Sequence, residues 1–262
     1  MNVDGASIVL RERTALEVLD LAILFCRQHG GRRYLRLLGL FVVPSYALLL
    51  VLRYAFDVSW PVIWLAASGL FLLLELPFLT LAGRLLFDPQ TRLAPALRTA
   101  AARLPAYLGT GLLILIVLAA SVVTFVGPWF VAAVYCFVPE VLTLEGMSGV
   151  SAMRRAQRFL VGRSGTGVAT MLLRLGLMLA LVLLGEELGQ AALQVLLDVH
   201  LEVERLFQDG GSPFALAGLL AAIPLTATFR FLSYVSERTV QDGWDVQVAL
   251  LALSGDREST RP

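Results

Sequence analysis

The sequence predicts an all-α fold: a polytopic membrane helix bundle with about six transmembrane helices in three hairpins, each preceded by an amphipathic cytoplasmic helix. Three observations lead there. The 262-residue chain is 58% hydrophobic and only 16% charged, whereas a soluble domain carries roughly 25% charged residues. Its mean hydropathy is +0.77, and apolar runs of about 20 residues, the length that crosses a bilayer core, recur along it. All of its basic residues are arginines, and they gather in alternate connections between those runs.

The N-terminal MNVDGASIVLRERT has no apolar stretch ending in a small-residue cleavage site, so the first span is expected to do the targeting and to remain. Ile8 to Gln28 reads as an amphipathic interfacial helix. Leu16, Leu19, Ile23 and Cys26 share one stripe, and Arg13, Glu17 and Asp20 another. Gly30-Gly31 is expected to end it. Leu37 to Leu52 is uncharged and reaches spanning length if Arg36 and Arg53 snorkel to opposite surfaces. Trp60 to Gly83 forms a second span, with Trp60 and Trp64 expected in the interfacial aromatic belt. The connection from Arg84 to Leu104 holds Arg84, Arg92, Arg98 and Arg103, with Pro95 placed as a first-turn proline.

Pro105 to Val126 is the third span, joined through Gly127-Pro128 to a fourth that runs from Trp129 to about Thr143. After Glu145 a Gly/Ser break leads into a short helix. Arg154, Arg155 and Arg158 lie on one flank of it, and Ala152, Met153, Ala156, Phe159 and Leu160 on the other. This helix is expected to lie along a membrane surface. Thr166 to Leu184 is the fifth span, Leu188 to Phe207 a mainly acidic amphipathic segment, and Pro213 to Tyr234 the sixth span. Residues 1–253 then form a single integral membrane domain, and 254–262 a charged, disordered tail.

Placing the segments before span one, between two and three, between four and five, and after six on one side collects nearly all the arginines. The other side receives chiefly Arg53, Arg205 and the acids of 186–209. The positive-inside rule makes the arginine-rich side cytoplasmic, so both termini are expected there.

Three proline-bearing segments line up: ELPFLTLAGR from Glu75, VPEVLTLEG from Val138 and IPLTATFR from Ile223. They suggest repeats over 8–87, 92–145 and 148–236, with helix kinks at Pro77, Pro139 and Pro224. Leucine-rich spans also align with one another without any repetition.

A span carrying Pro139 and ending in Glu145-Gly146 is followed by the Arg154-Arg155 pair and a closing Gly162-Arg163. This pattern resembles the bacterial integral membrane family known as the glycerophosphodiester phosphodiesterase membrane domain, and related six-span families. The stretch SERTVQDGWDVQ resembles that family's ending, although Thr239-Val240-Gln241 stands where a more basic run is usual. The resemblance covers most of the chain. It implies a multi-pass protein of the bacterial cytoplasmic (inner) membrane and, despite the family's name, no catalytic activity.

No reaction chemistry is legible, and the protein is expected not to be an enzyme and to need no cofactor. His29, beside Arg27, reads as an interfacial polar residue, and no metal is expected. No glycine-rich phosphate loop ends in lysine, because the chain has no lysine. Cys26 and Cys136 read as apolar packing residues. The arginines follow the membrane periodicity, which argues against nucleic acid.

The charges inside spans, Glu75, Glu140, Arg174 and Arg230, are the site candidates, because a charge at mid-bilayer costs about 2.5–3.5 kcal/mol on insertion scales and is retained for a reason. A Glu140–Arg174 pair is expected, with Glu75 equally available, while Arg230 is expected to snorkel to the cytoplasmic end. Glu145, Arg154, Arg155, Arg158 and Arg163 are the expected contacts for anionic lipid or a partner. Two functions follow. One is a non-enzymatic membrane subunit or scaffold whose arginine helices contact anionic lipid, a membrane-protein partner or a second copy. The other is a small transporter or lipid-handling protein whose intramembrane carboxylates line a pathway.

Overall fold

A computed structural model describes residues 13–160, 164–196 and 204–242. It is all-helical over these residues, and six of its helical stretches are long and apolar enough to cross a membrane. The chain is therefore a polytopic α-helical bundle.

α1 covers Ala15–Ala55. It opens on a capping box that the Thr14-x-x-Glu17 sequence encodes: the Glu17 N–H donates to the Thr14 hydroxyl and the Glu17 carboxylate accepts from the Thr14 N–H. Thr14 is extended, so α1 starts at Ala15 rather than at Ile8, which lies outside the described residues. Gly30-Gly31 does not end the helix. A π-helical turn over Cys26–Gly30 and a left-handed Gly31, φ +32°, carry the chain onward instead. A second π turn, Leu38–Val42, precedes Pro44, whose ring would clash with a regular preceding turn. The buried stripe is displaced from the expected one, with Leu19 and Cys26 half-buried and Glu17 and Asp20 still exposed. Val18, Ala22 and Phe25 are buried, whereas Leu16 and Ile23 are exposed, because apolar side chains facing lipid carry no penalty and the inward face is chosen by packing.

α2 is Trp60–Leu85 and runs uninterrupted through Pro77. α3, Leu93–Ser121, unites the arginine-bearing connection with the third span in one helix that includes Pro105. α4, Gly127–Glu145, is broken by turns at 135–137 and finishes in a π turn, Val141–Glu145. α5, Gly149–Leu160, is the arginine helix. α6 is Ser164–Ala191 and passes through Glu186-Glu187 and Leu188 without a break, followed by a π turn at Ala192–Leu196. The short α7 is Leu206–Asp209, and α8 is Pro213–Ala221. α9, Ile223–Asp242, completes the sixth span. Of the three expected kink prolines, only Pro77 lies inside a helix. Pro139 and Pro224 stand in the first turn of new helical stretches, where a missing N–H costs nothing.

The described residues form two compact units. One draws on Met1–Gly30, Leu79–Leu173 and Thr228–Pro262, the other on Gly31–Phe78 and Arg174–Ala227. In the first, α5 packs on α3 and on both parts of α4, and Tyr234 sits edge-on against Phe159 with ring centroids 5.4 Å apart. The buried residues of α5 are Ala152, Met153, Ala156, Phe159 and Leu160, the face its sequence periodicity predicts.

In the second unit, α8 meets α6 through glycines. A Cβ on Gly185 would lie 2.7 Å from the Gly218 Cα, and one on Gly218 would lie 2.3 Å from the Leu181 carbonyl oxygen. Small residues permit this backbone approach, the usual device for joining helices in lipid. Gly218→Val should therefore force α6 from α8 and cost about 1–3 kcal/mol by overpacking. Gly176→Ala, at a position with nothing within 4 Å, should leave the unfolding midpoint in detergent unchanged or raised.

Candidate functional site: buried ion pairs and the arginine helix

In the first unit α4 supplies Glu140 and α9 supplies Arg230. Their side chains are 0% and 2% exposed, and the Arg230 Nε donates to Glu140 Oε1 at 2.5 Å. Arg230 therefore does not snorkel. A guanidinium enclosed this completely is tolerated only because a carboxylate meets it. Glu140 is brought there by Pro139, which starts the helical turn that carries it, and Thr143 ties the same turn together by donating to the Pro139 carbonyl at 2.8 Å.

In the second unit α2 supplies Glu75, which is fully buried. The Arg174 Nη2 donates to both of its oxygens at 2.8 Å, and the Thr226 hydroxyl adds a third bond at 3.2 Å. Arg174 is 21% exposed and stands 5.9 Å over the Phe71 ring. The expected Glu140–Arg174 pair is thus replaced by two others, because contact is decided by which helix faces meet rather than by depth in a span.

At the end of α4, Glu145 binds Arg155 through two bonds of 2.9 and 3.3 Å and accepts from the Tyr234 hydroxyl at 2.7 Å. Arg155 also lies 4.5 Å over the Phe159 ring. Glu145 and Arg155 therefore serve inside the unit instead of presenting free charge to a lipid or partner. Arg154 and Arg158 remain exposed, and Arg163 lies outside the described residues. The three arginines expected on one flank separate, since a step of one residue turns a helix by about 100° and moves Arg155 off the flank of Arg154.

The turn between α4 and α5 is fixed by contacts the sequence did not reveal. Gly146 adopts φ +74°, a left-handed conformation that favours glycine, and the Arg103 guanidinium packs against it. Arg103 donates to the Gly146 carbonyl at 3.2 Å, and the Gly149 N–H donates to the Thr110 hydroxyl at 2.9 Å. Glycine just after an acid-ended span was the available signal for the turn. No signal named Arg103 or Thr110.

A further cluster sits in the second unit. Arg53 pairs with Asp57 at 3.1 Å and with Glu204, which also accepts from the Tyr54 hydroxyl at 2.9 Å. Burial pushes the Glu204 carboxyl up, but the Arg53 and Tyr54 hydrogen bonds outweigh it and hold it below the ordinary range. Trp60, expected in the aromatic belt, is instead 4% exposed, and a Cβ on Gly211 would collide with its indole at 2.2 Å. Trp64 donates to the Gly210 carbonyl at 3.0 Å. Both rings thus anchor the turn before α8. His29 stacks on Phe25 at 5.1 Å, and His200 lies outside the described residues.

No protein-family model, curated protein or solved structure matches the chain.

Proposed function

We propose that this is a non-enzymatic multi-pass membrane subunit or scaffold whose α5 arginines hold anionic lipid headgroups. The observation that carries the reading is the division of labour on α5. Five apolar residues are buried, Arg155 is engaged by Glu145, and Arg154 and Arg158 are left exposed on the remaining face. Each exposed arginine near an anionic leaflet is worth on the order of 1 kcal/mol, enough to bias local lipid occupancy. The arginine asymmetry supports a cytoplasmic position for this helix and for both termini, and the family resemblance supports a bacterial inner membrane. The engagement of Glu75 by Arg174 and of Glu140 by Arg230 supports a structural rather than a pathway role for the intramembrane carboxylates.

The test is lipid retention in nanodiscs that mix anionic and zwitterionic lipid. Changing Arg154 and Arg158 together to glutamine should lower anionic-lipid enrichment roughly 20–30-fold, the equivalent of about 2 kcal/mol. Unchanged enrichment with unchanged topology would remove lipid from the proposal. Loss of a co-purifying protein in its place would assign the face to a partner.

A further inference from the structure

We propose that the hairpin of α3 and α4 does not emerge into water. Its turn, Val122 to Val126, is lodged in the lipid of the leaflet opposite the arginines, at the boundary between acyl chains and headgroups. The inference rests on the position proposed for α5 at the cytoplasmic surface, and it adds a lipid-contacting surface that the arginines of α5 do not supply.

The chemistry of the turn is the first reason. From Leu104 to Pro139 the chain carries no charged residue, and the turn lies within that run. Val123 and Phe125 are 92% and 90% exposed, with Val122, Val126, Trp129 and Phe130 exposed beside them. The hydroxyls point the other way. Ser121 donates to the Leu118 carbonyl at 2.7 Å, and Thr124 donates to the Ser121 carbonyl at 3.0 Å. The Thr124 and Gly127 N–H groups close the turn on the Ser121 and Thr124 carbonyls at 3.0 and 2.8 Å. A Cβ on Gly127 would lie 2.4 Å from the Ser121 carbonyl oxygen, so this tight closure depends on glycine. Polar groups spent on one another and apolar side chains turned outward suit lipid, where an unmet polar group is costly. The turn between α1 and α2 is the contrast, for it holds Asp57, 98% exposed and paired with Arg53.

Reach is the second reason. Arg103 donates to the Gly146 carbonyl at 3.2 Å, which brings the charged ends of both arms to one base. From Arg103 to Ser121 the helix rises about 27 Å at 1.5 Å per residue. Glu145 back to Gly127 covers no more than that, because α4 is broken by turns at 135–137. The Gly149 N–H meets the Thr110 hydroxyl at 2.9 Å, so α5 begins further along α3 than the base does. The tip therefore stands no more than about 27 Å beyond the surface helix, against a hydrocarbon core about 30 Å thick. It stops short of the opposite aqueous phase, at the depth where Trp129 and the phenyl ring of Phe125 fit the interfacial aromatic belt.

The test places single cysteines in the full-length protein carrying Cys26→Ala and Cys136→Ala, in sealed membrane vesicles of either orientation. A membrane-impermeant maleimide applied from the side opposite the arginines should label Val123→Cys roughly ten-fold or more slowly than Ser59→Cys in the charged turn, because a thiol in apolar surroundings stays protonated. Bimane attached to Val123→Cys should be quenched by phosphatidylcholine brominated on the acyl chain near the glycerol, and bimane on Ser59→Cys should not. Ser151→Cys, on the exposed side of α5, should label only from the arginine-rich side. Labelling of Val123→Cys as fast as Ser59→Cys would put the turn in water and overturn the proposal. Slow labelling without quenching would show that protein, a second copy included, covers the turn, and would overturn it too. Both outcomes leave the position of α5 standing, whereas labelling of Ser151→Cys from the opposite side would remove that position and the proposal with it.

Discussion

Replacing Arg230 by methionine is expected to lower the unfolding free energy in detergent by about 3–5 kcal/mol. The loss comes less from the missing hydrogen bond than from what it leaves behind. Glu140 is fully enclosed by protein, at 0% exposure, and cannot reach water without displacing the α4 turn that Pro139 and Thr143 organise. Because Arg230 is equally enclosed, removing Glu140 instead should cost a similar amount. The symmetry of the two losses follows from the burial and would not arise if either side chain had a route to the surface. A guanidinium unfolding curve is unsuitable for this comparison, since added salt screens charge, so the loss should be read from thermal or detergent-driven unfolding.

The second pair should behave differently. Glu75 is fully buried and Arg174 is 21% exposed. Changing Arg174 to leucine takes the guanidinium that donates to both oxygens away from a fully buried carboxylate and should cost about 3–5 kcal/mol. Changing Glu75 to glutamine leaves an acceptor for Thr226 and for Arg174, and the guanidinium can lean toward the exterior. The expected loss is then about 1.5–3 kcal/mol, the difference associated with hydrogen bonds to a charged group. Arg174→Leu should thus be the more damaging single change at this site, measured by the unfolding midpoint of the purified protein.

These asymmetries separate what was legible in the sequence from what was not. The six spans were legible because a run of about 20 apolar residues has few other uses. The buried face of α5 was legible because Ala152, Met153, Ala156, Phe159 and Leu160 repeat with helical period against a charged flank. The stripe on α1 was misread for the reason that α5 was not. The apolar residues of Ala15–Phe25 spread over more than one face beside the Glu17 and Asp20 stripe, so Leu16 and Ile23 could face lipid while Val18, Ala22 and Phe25 faced protein. Gly30-Gly31 has the composition of a helix stop, yet a π turn and one left-handed glycine let the helix run on.

Pairing among charges was the least legible feature. Glu75, Glu140, Arg174 and Arg230 could be chosen from the sequence because ionisable residues in apolar runs are rare. Their partners depend on helix rotation and register, which periodicity within one helix does not encode. The same limit explains Glu145 and Arg155. Ten residues apart across a glycine turn, they read as independent surface charges until the fold places Tyr234 beside both.

The central claim is that the intramembrane charges close into two specific pairs that hold the units together internally, leaving Arg154 and Arg158 as the arginines of α5 that remain exposed. A set of double-mutant cycles over Glu75, Glu140, Arg174 and Arg230 tests it most directly, with unfolding free energy as the readout. Coupling of about 1–3 kcal/mol should appear for Glu75 with Arg174 and for Glu140 with Arg230, and about zero for Glu140 with Arg174. Coupling between Glu140 and Arg174, or strictly additive losses throughout, would contradict the account.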